Sequence, residues 1–228
     1  MERYSRQIIF PEIGEEGQRR LSQASVLIVG LGGLGSPVAL YLTGAGVGRI
    51  GLCDNDTVSI SNLQRQILYS EESEGQLKVE IASKRLLEHS SHTRFDLWKD
   101  GLNCDNAIDI ISGYELIIDC TDNYMTRYLI DETCQELGKT WIHGAIGNFE
   151  GRVSTFIPTG IRYSDLYSDK EYQITQTSTG GVIGPLPGVI GCLQAAEAIK
   201  LICGFGETLV GKILTVDLKN LQFNVFDL

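Results

Sequence analysis

The chain has 228 residues, 43% of them hydrophobic, and a formal net charge of −10. That length suits one large α/β domain with a substantial core, and the acidic balance argues against a general nucleic-acid binder while leaving room for a small basic pocket. No apolar run approaches the roughly 20 residues of a membrane span, the N-terminus is too poor in apolar residues for a signal peptide, and the six cysteines include no C-x-x-C pair, so a cytoplasmic protein without a zinc tetrad or thioredoxin-type motif is expected.

In chain order, residues 26–30 read as a buried strand, and Ser36-Pro37 opens a helix through Gly44, proline suiting a first helical turn. Residues 49–54 form a second short apolar run. Lys78 to Glu88 has helical spacing, with Val79, Ala82, Leu86 and Leu87 on one side. Residues 93–98 follow as a strand, 104–112 as a helix, 115–119 as a strand, 123–137 as a helix and 140–143 as a strand. This alternation implies a doubly wound, mostly parallel sheet with ligands at the carboxyl ends of its strands. From Arg152 to Ile157 the pattern becomes that of a strand with one exposed face. A polar, glycine-rich crossing loop spans about 158–187, a helix runs from about Gly188 to Cys203, and segments 212–217 and 221–226 read as a closing antiparallel hairpin. The whole chain, 1–228, reads as a single domain.

Chemistry gathers at the predicted strand ends. Gly30-Leu31-Gly32-Gly33-Leu34-Gly35 comes directly after the first strand, and Asp54 closes the second. Such a turn lets backbone approach a nucleotide while a helix N-terminus faces it. By itself the motif favours NAD, because an acid lies about 20 residues on. Asp54-Asn55-Asp56 then leads into Ser61-Asn62-Leu63-Gln64-Arg65-Gln66, and Lys78 opens a helix at the same sheet edge. A triphosphate needs such added cations, whereas helix amides alone can bind a dinucleotide pyrophosphate. Cys120-Thr121-Asp122-Asn123 ends another strand where the sheet order reverses, which suits Asp122 to hold Mg²⁺. Asp122 could instead cap the following helix.

Together these residues resemble the ThiF/MoeB/HesA family, bacterial relatives of the ubiquitin-activating enzymes. The resemblance covers almost the whole chain through Arg3-Tyr-Ser-Arg6-Gln7, the Gly30–Gly35 turn, Gly44-Ala-Gly-Val-Gly48, Ser61–Gln66, Cys120–Asn123 and Gly184-Pro185. It implies a Rossmann-like site that adenylates the C-terminal Gly-Gly carboxylate of a ubiquitin-fold sulfur carrier with ATP. It further implies nucleotide contacts at Gly30, Gly32 and Gly33, ribose contacts at Asp54 with Asp56 in support, and phosphate contacts at Asn62, Arg65 and Lys78. The neighbours Ser61, Leu63, Gln64, Gln66 and Asn123 belong to the same nucleotide site, and Asp122 is the Mg²⁺ ligand. Arg6 would reach the triphosphate of a partner subunit, so a homodimer is implied.

The family pattern breaks in two places. The paired C-x-x-C motifs that hold structural zinc in many relatives are missing, the loop reading Arg162-Tyr-Ser-Asp-Leu166. No structural zinc is therefore expected, and the segment from about Gly160 to Gly180 is expected to be mobile. Thr177 stands where the ThiF branch has a sulfur-transferring cysteine, so sulfur is expected from a separate donor. Tyr41–Gly46 and the N-terminal run favour a ThiS-like carrier of thiamin synthesis, with a MoaD-like carrier of molybdopterin synthesis, an NAD-dependent oxidoreductase and a non-catalytic carrier-binding scaffold as alternatives. His143 reads as a core or pocket-wall histidine, and Arg127 as a support for phosphate or a brace for Asp122.

Overall fold

The apolar run Val26–Val29 is buried on both sides, as a central parallel strand requires. In a computed structural model describing residues 2–168 and 181–228, it is β1 (Ser25–Val29) of an eight-stranded sheet. The other strands are β2 (Arg49–Cys53), β3 (Arg94–Trp98), β4 (Leu116–Asp119), β5 (Thr140–Gly147), β6 (Glu150–Phe156), β7 (Lys212–Asp217) and β8 (Gln222–Asp227). Their spatial order is β3-β2-β1-β4-β5-β6-β7-β8. The first five are parallel, and β6, β7 and β8 continue the sheet antiparallel. The expected doubly wound sheet with antiparallel C-terminal strands is present.

The pleat sorts the core into two layers. Val26, Ile28, Ile50, Leu52, Ile118 and Ile142 point to one face, while Leu27, Val29, Ile117 and Trp141 point to the other. The first face is covered by α2 (Gly14–Gln23), α3 (Gly35–Ala45), α4 (Lys78–His89) and α8 (Pro185–Cys203). The second carries α5 (Ala107–Ser112), α6 (Tyr124–Leu137) and the single turn α7 (Tyr163–Leu166). α8 is apolar enough, over 19 residues, to cross a membrane by composition and length. It packs against α3, β5 and β6, which accounts for that composition within the described fold.

Several boundaries differ from the sequence reading. α8 begins at Pro185, because Pro185 and Pro187 sit in the first turn, where no intrahelical donor is needed. β5 runs on to Gly147 because it pairs along its length with β6. The N-terminal helices α1 (Ser5–Ile8) and α2 escaped detection. Their signal is thin: Ile13, Gly17 and Leu21 recur at four-residue spacing, with Glu15 and Glu16 in the first turn of α2.

Residues 169–180, including Thr177, lie outside the described residues. The described start of the crossing loop is anchored, which corrects the expectation of mobility for its first residues. Asp131 on α6 is buried, and its carboxylate accepts from the amides of Tyr163 (3.2 Å) and Ser164 (3.3 Å) and from Arg162 Nη2 (3.1 Å). A carboxylate thus meets the first N–H groups of α7, where helical donors lack internal partners. Tyr163 is fully buried among Tyr128, Trp141, His143 and Phe156.

Removing the Asp131 carboxylate orphans two buried amides and a guanidinium. Asp131→Ala should destabilise the chain by about 2–4 kcal/mol in urea denaturation, with amide exchange quickening first at residues 162–167. Unchanged exchange there would contradict the anchor.

Candidate active site

Helices leave the parallel sheet in opposite directions after β1 and β4, so a crevice opens between the carboxyl ends of these two strands. Gly30 sits at its base with φ 90°, and a Cβ there would lie 2.7 Å from the Cys120 carbonyl oxygen. Only glycine lets the two strands approach so closely. Gly33 lines the cleft and also makes room for α8. A side chain there would meet Pro187 of α8 at 2.9 Å, so its absence seats α8 against the turn. No side chain caps α3, but Ser36 N bonds Gly32 O (3.0 Å), Val38 N bonds Leu34 O (3.3 Å) and Pro37 has no N–H, so at the helix start only the Gly35 amide is left to face a ligand.

The resulting cleft has a volume of about 1240 Å³. Gly30, Gly32, Gly33, Asp54, Asp56, Gln64, Arg65, Gln66, Lys78, Asp122 and Asn123 all line it. Ser61, Asn62 and Leu63 do not. They build the turn that carries Arg65, with Asn62 Oδ1 accepting from Ser59 N at 3.3 Å. Arg6 is exposed on α1, far from the cleft of its own chain, because neighbouring Gln7 bonds Ala45 O at the distal end of α3.

Asp54 is held by the loop it serves. Its Oδ2 accepts from Leu31 N (2.6 Å) and its Oδ1 from Asp56 N (2.8 Å). Burial raises its pKa, against the pull of those amides and of Lys78. Lys78 is buried at the first residue of α4, where the helix dipole disfavours a cation. Its Nζ pairs with the exposed Asp56 carboxylate at 2.7 Å, so Asp56 engages the lysine. Arg65 bonds only the Ser61 carbonyl (3.2 Å) and meets no carboxylate among the described residues. Gln66 is buried with its Oε1 unpartnered.

The other wall is the turn after β4. Asn123, not Asp122, caps α6, accepting from Thr126 N at 2.9 Å. Asp122 is exposed in the cleft with no hydrogen bond or ion pair among the described residues, so the capping alternative for it is removed. Behind it, fully buried Asp119 accepts at Oδ1 from Thr121 N (3.0 Å) and Oγ1 (2.6 Å). His143 Nδ1 lies 2.7 Å from Asp119 Oδ2, and Arg127 Nε is 3.8 Å from the same oxygen. Arg127 Nη2 donates to Thr121 O at 2.9 Å, so this arginine braces the turn below Asp122 and also lines the cleft. Burial pushes Asp119 up, but His143, Arg127 and Thr121 together hold it below the ordinary range. Burial drives His143 down to about 4, against the opposing pull of Asp119. The ring is therefore neutral at pH 7, with its proton on Nδ1 facing the carboxylate.

The far half of the cleft was not anticipated from sequence. It is lined by Asn148, Glu150 and Arg152 at the β5–β6 turn, by Gly181 and Val182, and by Thr215, Asp217 and Asn224 of β7 and β8. Asn148 N donates to Gly181 O (3.1 Å) and Ile183 N to Asn148 O (3.3 Å), so the returning end of the crossing loop forms one wall. These residues have no local motif, and only the pairing of β5 with β6 brings them to the cleft.

Because His143 is buried neutral, the unfolded chain binds a proton between about pH 6.5 and 4 that the native chain does not. Stability should therefore fall as pH falls through that window, by roughly 3 kcal/mol. The Asp119 contribution is complete above its unfolded value and is lost only at lower pH. His143→Asn, which keeps a donor toward Asp119, should flatten the pH 6.5–4 slope of urea midpoints. An unchanged slope would refute the assignment.

Comparison with known proteins gives a consistent picture. The model of the ThiF family matches residues 4–228. The chain is 47% identical over 228 residues to the probable molybdopterin-synthase adenylyltransferase of Porphyra purpurea, covering 98% of this chain and 60% of that protein. It is 42% identical over 231 residues to the sulfur carrier protein adenylyltransferase of Thermus thermophilus, covering 98% and 85% respectively. The chain thus spans about half to 60% of the length of most of these curated relatives and 85% of the Thermus thermophilus protein. Among solved structures, E. coli MccB with AMPCPP and MccA shares the fold, with a TM-score of 0.87 at 24% identity over 99% of this chain and 71% of that one. On its sequence and over nearly all of its length, the chain belongs to the ThiF family.

Proposed function

We propose that the chain adenylates the C-terminal Gly-Gly carboxylate of a ubiquitin-fold sulfur carrier protein, using ATP and releasing pyrophosphate. One observation carries this reading. The Gly30–Gly35 turn, Asp54, Arg65, Lys78 and Asp122, scattered over some 90 residues, converge on one cleft. Two cations together with a free carboxylate that could hold a metal ion suit a triphosphate better than a dinucleotide pyrophosphate, which helix amides alone can bind.

The roles follow from the surroundings. The Gly30–Gly35 turn faces the nucleotide, and Asp54, already oriented by two amides, accepts from ribose hydroxyls. Arg65 and Lys78 hold phosphate oxygens, with phosphate replacing the exposed Asp56 as the partner of Lys78. Asp122 suits Mg²⁺: the described residues hold no cluster of three or more metal-ligating side chains, and a single carboxylate is what this ion takes when phosphates and water supply its other ligands. When bound, the ion would neutralise charge on the phosphates. A carboxylate oxygen attacks the α-phosphorus, the bond to the β-phosphate oxygen breaks, and pyrophosphate leaves with that electron pair. Positioning and charge stabilisation supply the rate.

Arg6 acts on the site of a second copy in this reading. The 11 residues of α3 span about 16 Å between the cleft and the end where Gln7 bonds. A homodimer with composite sites follows. Sulfur comes from a separate donor, and the work is cytoplasmic. Among carriers, the names of the relatives weigh toward a MoaD-like protein of molybdopterin synthesis, and the N-terminal motifs toward a ThiS-like one.

Carrier-dependent exchange of pyrophosphate into ATP tests the proposal, with the preferred carrier separating the two pathways. Arg65→Ala and Asp122→Ala should each lower exchange by roughly 100-fold or more. Undiminished exchange in both variants would exclude this cleft, and no exchange with any Gly-Gly carrier would favour a scaffold. MgATP, not NADH, should raise the melting temperature of the wild-type chain.

A further inference from the structure

We propose that Arg152, supported by Arg127, is the receptor for the free carboxylate of the incoming polypeptide tail. The proposal deepens the reading above by assigning the part of the cleft that receives the carboxyl substrate.

Arg152 on β6 is half-buried in the cleft wall. Its Nε is buried with no acceptor, and its guanidinium makes no hydrogen bond or ion pair among the described residues. Glu150, two residues earlier on the same face of β6, does not pair with it. The guanidinium carbon lies 5.0 Å from the centroid of the Tyr167 ring, a cation–π contact. Tyr167 packs on Tyr163 at 4.6 Å with the rings tilted by 34°, Tyr163 meets His143 edge-on at 5.0 Å, and His143 bonds Asp119 beside Arg127. A continuous series of packed rings thus links the arginine to the Asp119 cluster.

Charge completes the argument. This group contains two guanidinium ions, Arg127 and Arg152, and one carboxylate, Asp119, with His143 neutral. That buried group carries one excess positive charge, although Asp122, Glu150 and Asp217 also line the cleft without pairing with Arg152. Besides Arg152 Nε, three more buried polar atoms here lack partners: Arg127 Nε, Tyr163 Oη and His143 Nε2. Three of the four are donors. A buried group with surplus donors and surplus positive charge is built for an anion. The triphosphate has Arg65, Lys78 and the start of α3 in the other half of the cleft. The anion left for Arg152 is the one entering between the β5–β6 turn, residues 181–182 and the β7–β8 hairpin: a chain-terminal carboxylate. A planar fork matches it and would set one carboxylate oxygen toward the nucleotide.

The test uses the whole chain labelled with ¹⁵N-arginine and, as probe, N-acetyl-Gly-Gly as free acid or as amide. The free acid should shift the Arg152 and Arg127 side-chain resonances saturably, and the amide should not. Arg152→Gln should abolish the Arg127 shift while leaving the melting-temperature rise with MgATP intact. In carrier-dependent exchange, the same variant should raise the carrier KM roughly 10-fold or more with little change in the KM for ATP, and Arg152→Lys should restore part of it. Resonances unmoved by the acid, or moved equally by the amide, would overturn the proposal. Because the probe measures binding without adenylation, a shift in a chain that shows no exchange would refute the adenylation reading and keep the carboxylate receptor.

Discussion

The site hangs on Asp119, a carboxylate with no exposure at the end of β4. A charge so placed persists only if every oxygen is engaged, and each engagement recruits a different element. His143 brings β5, Thr121 closes the turn that presents Asp122, and Arg127 brings α6. Its backbone carbonyl accepts from Gln194 Nε2 of α8 at 2.7 Å. Gln194 reaches it across β5 only because residue 144 is glycine; a Cβ there would lie 2.4 Å from the Gln194 amide. One buried anion therefore sets the relative positions of both helical layers and of the cleft wall.

The cleft reads as a division of labour between its halves. Around the Gly30–Gly35 turn, Arg65 and Lys78 line the cleft, and Lys78 sits where its own helix dipole opposes it. Across from them, Arg152 waits without a counter-ion. Arg65, Lys78, Arg127 and Arg152 are set among Asp54, Asp56, Asp122, Glu150 and Asp217, so the placement of each cation, rather than a net positive field, is what suits an anionic ligand. The anchor of α7 on Asp131 belongs to the same arrangement, since α7 carries Tyr163 and leads to Tyr167, the ring beneath Arg152.

Much of this was legible before any coordinates. Gly30, Asp54, Arg65, Lys78 and Asp122 each stand at a strand end or helix start, positions that periodicity and turn chemistry reveal locally. Arg152 was hidden because it lies mid-strand with ordinary neighbours, and its significance is an absence, a missing partner. Arg127 looked like a generic brace because its partner, Asp119, is eight residues away across a turn. Residues 162–167 looked unanchored because their anchor is a buried aspartate some 30 residues earlier, which no local pattern announces.

The sequence by itself determined the doubly wound sheet and the strand-end edge at which the Gly30–Gly35 turn, Asp54, Arg65, Lys78 and Asp122 gather. Hydrophobic periodicity, glycine turns and charges at strand ends are short-range signals, and they suffice for those features. Only the tertiary structure decided which residue caps α6, that Lys78 rests on Asp56, that Gly33 makes room for Pro187, and that a second arginine-lined half exists. Those facts depend on contacts between segments far apart in the chain, where burial and the presence or absence of a partner, rather than residue type, assign the role.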